Sequence, residues 1–143
     1  MTDGEYIDST SFNLFVQGVN DSPVLSFIEN QVTNEDTAKA IVLSATDVDE
    51  DVLTYTASSS DSNVFAIVSE DTLLMSPADD WNGTADVTVF VTDGSLSDTT
   101  AFALTVLPVN DPPGLNLPAA FEFVEDGLLS VDFTPYFDDI DSD

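Results

Sequence analysis

Residues 92–113 read TDGSLSDTTAFALTVLPVNDPP, and residues 2–23 read TDGEYIDSTSFNLFVQGVNDSP. Laying Asp93 on Asp3, Phe102 on Phe12, Leu104 on Leu14 and Asn110-Asp111 on Asn20-Asp21 takes a single offset of 90 residues. The offset continues downstream, where Glu35-Asp36 falls on Glu125-Asp126. With a slip of two residues, Asp47-Val48-Asp49-Glu50-Asp51 falls on Asp139-Ile140-Asp141-Ser142-Asp143. A recurrence of this length is the signature of an array of similar units. It divides the chain into the closing strand of a preceding unit (1–18), one complete unit (19–109) and the opening part of a following unit (110–143). Met1 stands where Val91 stands in the second copy, as an initiating residue set at the head of a piece of a longer array would.

Working outward, the complete unit alternates apolar and polar residues at the period of strands. Val24–Ile28 opens it, and Asn34-Glu35-Asp36-Thr37 turns the chain. Ile41, Leu43 and Ala45 then alternate with Val42 and Ser44. Leu53 and Tyr55 begin the next strand, and Val64–Val68 and Leu73–Met75 are two more, separated by Ser69-Glu70-Asp71-Thr72. A turn-rich bridge, Pro77–Thr84, carries Trp81, expected at the edge of the core. Val87, Val89 and Val91 form a strand that Asp93-Gly94 breaks, and Phe102, Leu104 and Val106 form the closing one. In the leading flank, Phe12, Leu14 and Val16 alternate in the same way and predict a strand. The pattern holds about seven strands and no helix, the spacing of a Greek-key β-sandwich. Its expected core includes Leu43, Tyr55, Ile67, Val89 and Leu104. A core this small calls for an added staple.

The charge balance bounds the partners. The 143 residues include 28 acids against a single base, Lys39, with no His, for a formal charge of −27. Nucleic acid and anionic membrane are excluded, because phosphate contacts need Lys and Arg. Self-repulsion on this scale destabilises a compact domain unless counter-ions relieve it. The absence of Cys rules out disulfides, and with no His it rules out a typical zinc or copper site. What remains for a staple is a hard cation held by oxygens.

The acids gather at strand ends and linkers: Asn20-Asp21, Glu35-Asp36, Asp47/Asp49/Asp51, Asp79-Asp80, Asp93, Asn110-Asp111 and Asp139/Asp141. A sandwich that the chain enters at one end and leaves at the other carries such groups at its two poles. Carboxylates and amides from adjoining units can there supply the six to eight oxygens that calcium takes.

Taken together, these stretches resemble a bacterial cadherin-like repeat, the immunoglobulin-like β-sandwich strung in long arrays in secreted adhesins. Val19-Asn20-Asp21-Ser22-Pro23 and Val109-Asn110-Asp111-Pro112-Pro113 are similar to the linker of that family. Ala45-Thr46-Asp47-Val48-Asp49 resembles its Asp-x-Asp motif, and Thr92-Asp93-Gly94 its later single aspartate. Glu35 stands where the family has an early glutamate. Asp79-Asp80 stands near its Asp-Arg-Glu, without the arginine.

The resemblance implies Ca2+ at two junctions. One is expected to gather Asn20, Asp21, Asp47, Asp49 and Asp93. The other is expected to gather Glu35, Asp79, Asp80, Asn110, Asp111, Asp139 and Asp141. It also implies an extracellular, calcium-stiffened spacer whose partners are the neighbouring repeats of the same chain.

Rival readings remain. Exposed aromatics on non-core registers, Phe15, Phe90 and Tyr136, leave room for a module binding polysaccharide or another copy of its own kind. A glycoside hydrolase needs two carboxylates across a cleft, and acids at the poles offer none; nucleophilic triads lack both His and Cys. A halophilic surface spreads acids over every face, whereas these favour loops. Lys39 as an isopeptide donor and Asn82-Gly83-Thr84 as a glycosylation sequon are weaker than a solvated lysine and a plain turn.

Overall fold

Alternation turns into a strand where a partner strand exists to receive its hydrogen bonds. The computed structural model describes residues 4, 5, 7, 9–122 and 125–141. In it, the complete unit forms β1 (Val24–Leu25), β2 (Gln31–Asn34), β3 (Lys39–Val42), β4 (Ala45–Thr46), β5 (Thr54–Ser59), β6 (Val64–Ser69), β7 (Thr72–Pro77), β8 (Gly83–Thr92) and β9 (Ser97–Leu107). One sheet has the order β2-β9-β8-β5 and the other β3-β7-β6, with β1 paired to β4.

The nine segments reduce to the seven expected strands. Between β3 and β4, the Leu43 N–H donates to the Asp71 carbonyl at 2.7 Å, and the Ser44 carbonyl accepts from the Ser26 N–H at 2.8 Å. One strand therefore passes from its β7 partner to its β1 partner. The first strand divides as well. Its β1 half lies on β4 antiparallel, and its β2 half crosses over to run parallel to β9, with Val32 opposite Thr105.

The two sheets face each other across a core of Leu43, Val64, Leu73 and Met75 on one side and Val87, Val89, Val91, Phe102, Leu104 and Val106 on the other. Tyr55 and Trp81 pack against its margin. Ile67 is a correction. Val64 sits in the core, so period-two alternation turns Phe65 and Ile67 to the opposite face, and Ile67 is 62% exposed. The pairing agrees, since Ile67 lies opposite Leu74 and Val68 opposite the fully buried Leu73.

The flanks differ from each other. Residues 9–22 hold no strand, and Phe12, Leu14 and Val16 are exposed. Their counterparts in β9 are held by ladders to β8 and β2, and among the described residues this flank meets no such neighbours. The trailing flank pairs β10 (Gly114–Leu115) with β11 (Phe137–Asp138), Leu115 opposite Phe137, as β1 pairs with β4. The Asn116 N–H donates to the Tyr136 carbonyl, the copy of Ser26 on Ser44. A short 3-10 turn, Thr134–Tyr136, precedes β11.

The core assignment predicts that Leu104→Ala destabilises the fold by about 2–5 kcal/mol. Ile67→Ala is expected to stay within about 0.5 kcal/mol of the parent. Urea denaturation of both variants checks this, and the opposite ranking would place β6 in the other register.

Candidate metal sites

The strand ends define two poles. At the first, β1 begins, β4 and β8 end, and β9 begins, so residues just outside these strands converge. Asp47, Asp49 and Asp51 each offer an oxygen within 4.8 Å of the others. The loop is tied locally, the Asp49 N–H donating to Asp47 Oδ1 at 2.8 Å. It is also tied to the linker, where the Asp21 N–H donates to Asp49 Oδ2 at 2.7 Å.

Next to it, the Asn20 side-chain amide donates to Asp93 Oδ2 at 2.9 Å and to the Asp21 carbonyl at 3.1 Å. The other Asp93 oxygen accepts the N–H groups of Ser95 and Leu96. Hydrogen bonds from Leu96, from the Asn20 side chain and from Ser95 hold the Asp93 carboxyl below the usual aspartate range. Asp47 Oδ2 is enclosed and has no hydrogen-bond partner.

At the second pole β2, β7 and β9 end and β3 and β8 begin. Glu35, directly after β2, is 3% exposed. Its backbone N–H continues the ladder to the Leu107 carbonyl, and its Oε1 accepts the Val109 N–H at 2.5 Å. Glu35 therefore holds the start of the linker. The Asp111 N–H donates to Asp141 Oδ2, and the Asp141 N–H to Asp139 Oδ1. These repeat Asp21 on Asp49 and Asp49 on Asp47.

Two groups of oxygens, each within 4.8 Å, share Asp111: Glu35–Asp111–Asp141 and Asp36–Asp80–Asp111. The Asp80 N–H donates to Asp36 Oδ1 at 3.1 Å. Asp111 Oδ2 is enclosed without a partner. Loss of water around it, and then the charges of Asp80, Asp141, Asp36 and Glu35, push its carboxyl above the usual range.

The bridge between β7 and β8 places Asp80. Trp81 packs against the core, and a Cβ on Gly83 would stand 2.9 Å from its ring. Only a glycine lets β8 start directly under the indole.

The arrangement brings together all five residues expected at the first pole. At the second it gathers Glu35, Asp80, Asp111 and Asp141, with Asn110 turned onto the Asp111 carbonyl and Asp139 bonded to the Asp141 N–H. Asp79 lies exposed, outside the oxygen groups. Asp36 and Asp51, counted among the polar acids but not among the expected ligands, belong to the clusters. Asp36 follows Glu35 in a motif that recurs as Glu125-Asp126, with φ of 57° and 62° at the two aspartates. The recurrence of the acid in both copies was the signal the sequence offered.

The family model of the cadherin-like domain matches residues 19–107. Among solved structures, human protocadherin-24 EC1-2 aligns at 24% identity with a TM-score of 0.51, over 72% of this chain and 51% of that one. An endo-fucoidan hydrolase of glycoside hydrolase family 107 aligns at 25% identity with a TM-score of 0.46, over 68% of this chain and 15% of its own. Titin domains z1z2 in complex with telethonin align at 14% identity with a TM-score of 0.46, over 68% of this chain and 54% of that one. The chain thus spans a small part of the hydrolase and about half of the protocadherin fragment. A search of curated protein sequences finds no match.

The two carboxyls have opposite signs in the pH dependence of stability. Asp93, with a lowered folded value, contributes stability above the usual aspartate range, lost as pH falls through its folded value. Asp111, with a raised one, contributes stability in acid, lost as pH rises through its folded value. Carboxylate-detected NMR titration in chelator is expected to find Asp111 titrating above Asp93. Asp111→Asn is expected to flatten the loss of stability on going from acid to neutral pH. Equal midpoints for the two groups would contradict the geometry.

Proposed function

The chain belongs to the cadherin-like domain family, and from that premise we propose that it is a stretch of an extracellular, calcium-stiffened spacer in a large bacterial surface or secreted protein. Cadherin-like domains are in general extracellular and non-enzymatic. Among the described residues, no helix is long and apolar enough to cross a membrane.

The observation that carries the calcium reading is the pair of enclosed, unpartnered oxygens, Asp47 Oδ2 and Asp111 Oδ2, each amid other carboxylates. A buried carboxylate oxygen with no donor costs free energy that a hard cation offsets. The donor set is wholly oxygen and fits calcium. Asp47, Asp49, Asp51 and Asp93, with Asn20 and Asp21, would hold it at the first pole. Glu35, Asp36, Asp80, Asp111 and Asp141 would hold it at the second, with Asn110 and Asp139 beside them. The bound ion would supply charge neutralisation, and the protein's own latches, Glu35 on Val109 and Asp141 on Asp111, set the linker between the units they join.

Residues 19–109 are proposed as the unit that folds by itself. A cooperative thermal transition of that segment in calcium buffer is the expected result, and its absence would move the boundaries. Calcium affinity of extracellular modules is about 10⁻⁴–10⁻³ M, so binding is expected to saturate outside a cell. Asp49→Ala should weaken the first site and spare the second, and Asp111→Ala should do the reverse. Calorimetry on the two variants separates the sites. Small-angle scattering is expected to show a longer, narrower distance distribution with calcium than with EDTA. Unchanged heats and an unchanged maximum dimension would end the calcium-spacer reading.

A further inference from the structure

The strand β6, residues 64–69, lies at the edge of the β3-β7-β6 sheet. Pro77 stands opposite Val64 and has no N–H, while the Ala78 N–H donates to the Asn63 carbonyl at 2.7 Å. The hydrogen-bonded pairs with β7 are therefore Phe65–Ser76, Ile67–Leu74 and Ser69–Thr72. The N–H and C=O groups of Ala66 and Val68 face away from the sheet, and among the described residues nothing pairs with them.

Natural edge strands are blunted by charge, proline, a bulge or a covering element. The sequence VFAIVS carries no charge and no proline, on a chain with 28 acids. The sheet surface beside this edge is apolar as well: Val42, Phe65, Ile67 and Leu74 are exposed together on its outer side. The outer side of the other sheet is more mixed, with Thr84, Thr88, Thr92, Thr99 and Thr105 around the exposed Phe90 and Val32.

We propose that β6 is a docking edge for a polypeptide of opposite charge, an extended uncharged segment with Lys or Arg at both ends, which joins the sheet as an added strand. The segment takes the free groups of Ala66 and Val68, and its alternate side chains lie beside Phe65 and Ile67. Its cationic ends meet the acids that bracket β6, Asp61 before it and Glu70-Asp71 after it.

Charge decides between this occupant and a second copy. An antiparallel β6-on-β6 pair sets Asp61 of one copy against Glu70-Asp71 of the other, and brings together two chains of −27. A cationic strand reverses both terms. The reading draws on neither cation site and stands apart from calcium binding.

The test uses the full chain in buffer with excess calcium, so that the polar acids are screened. The probe is a short synthetic peptide with a Val-Thr-Val-Thr-Val centre and a pair of lysines at each end. Saturable binding by calorimetry is expected, with NMR shifts and slowed amide exchange at Ala66 and Val68. Ala66→Pro removes an outward N–H without breaking a bond to β7. It is expected to weaken binding about tenfold or more, as is Glu70→Gln with Asp71→Asn. Ile67→Thr keeps strand propensity and serves if the proline variant fails to fold. Equal binding of a peptide with glutamate ends overturns the proposal, as does equal binding of a lysine-ended Gly-Ser peptide. Self-association lost in Ala66→Pro, with no peptide binding, overturns it in favour of a second copy.

Discussion

A charge of −27 over the whole chain, carried by one small sandwich and its two flanks, is the constraint to which the rest of this structure answers. Like charges near a protein surface repel by a few kcal/mol at close range, and an apolar core tolerates none. The nine strands of the complete unit accordingly hold two acids, Asp86 and Asp98. Asp86 is exposed. Asp98 accepts the Leu25 N–H at 2.8 Å and the Thr99 N–H, which lower its carboxyl and fasten β1 to the start of β9. Every other acid of the unit lies in a turn or linker, so the sandwich is neutral around its middle and strongly acidic at both ends.

Confining acids to turns has a backbone consequence. Asp36, Glu50, Glu70 and Asp80 all adopt positive φ, between 55° and 61°, where glycine is the easier residue. Aspartate tolerates this region better than most side chains. Asp36 and Asp80 gain from it, because their turns face each other at the second pole and the Asp80 N–H reaches the Asp36 carboxylate. Glu70 has no such partner nearby; it turns the β6–β7 hairpin and leaves a charge at the end of the neutral edge.

Much of this was legible in the sequence because period-two alternation and a 90-residue recurrence are properties of the chain itself. Leu43, Val89 and Leu104 fall where alternation puts them, and the linker motif marks both poles. What failed was whatever depends on a neighbour. Phe12, Leu14 and Val16 carry the pattern of β9 without a ladder to join. Ile67 sits in a continuous apolar run, VFAIV, whose inward face cannot be told from its outward face until Val64 is seen to meet the core. Asp79 and Asp80 are indistinguishable as letters; the positive φ at Asp80 and the anchoring of Trp81 separate them. Asp36 was hidden by Glu35, its stronger-looking neighbour.

The latches explain why the poles and the linkers are a single problem. Each linker amide, of Asp21 or of Asp111, satisfies one oxygen of one carboxylate on the loop beyond it. Backbone N–H groups orient these side chains but bring no net charge, so the repulsion between the remaining oxygens stays. At the second pole Asp111 carries that load for both of its groups, one reaching Glu35 and Asp141 and the other Asp36 and Asp80. Its enclosed oxygen is therefore where electrostatic tension from the complete unit and from the segment after it is summed. Relief at that point acts on both sides of the linker at once, and under the proposed reading this is how a counter-ion makes the junction stiff.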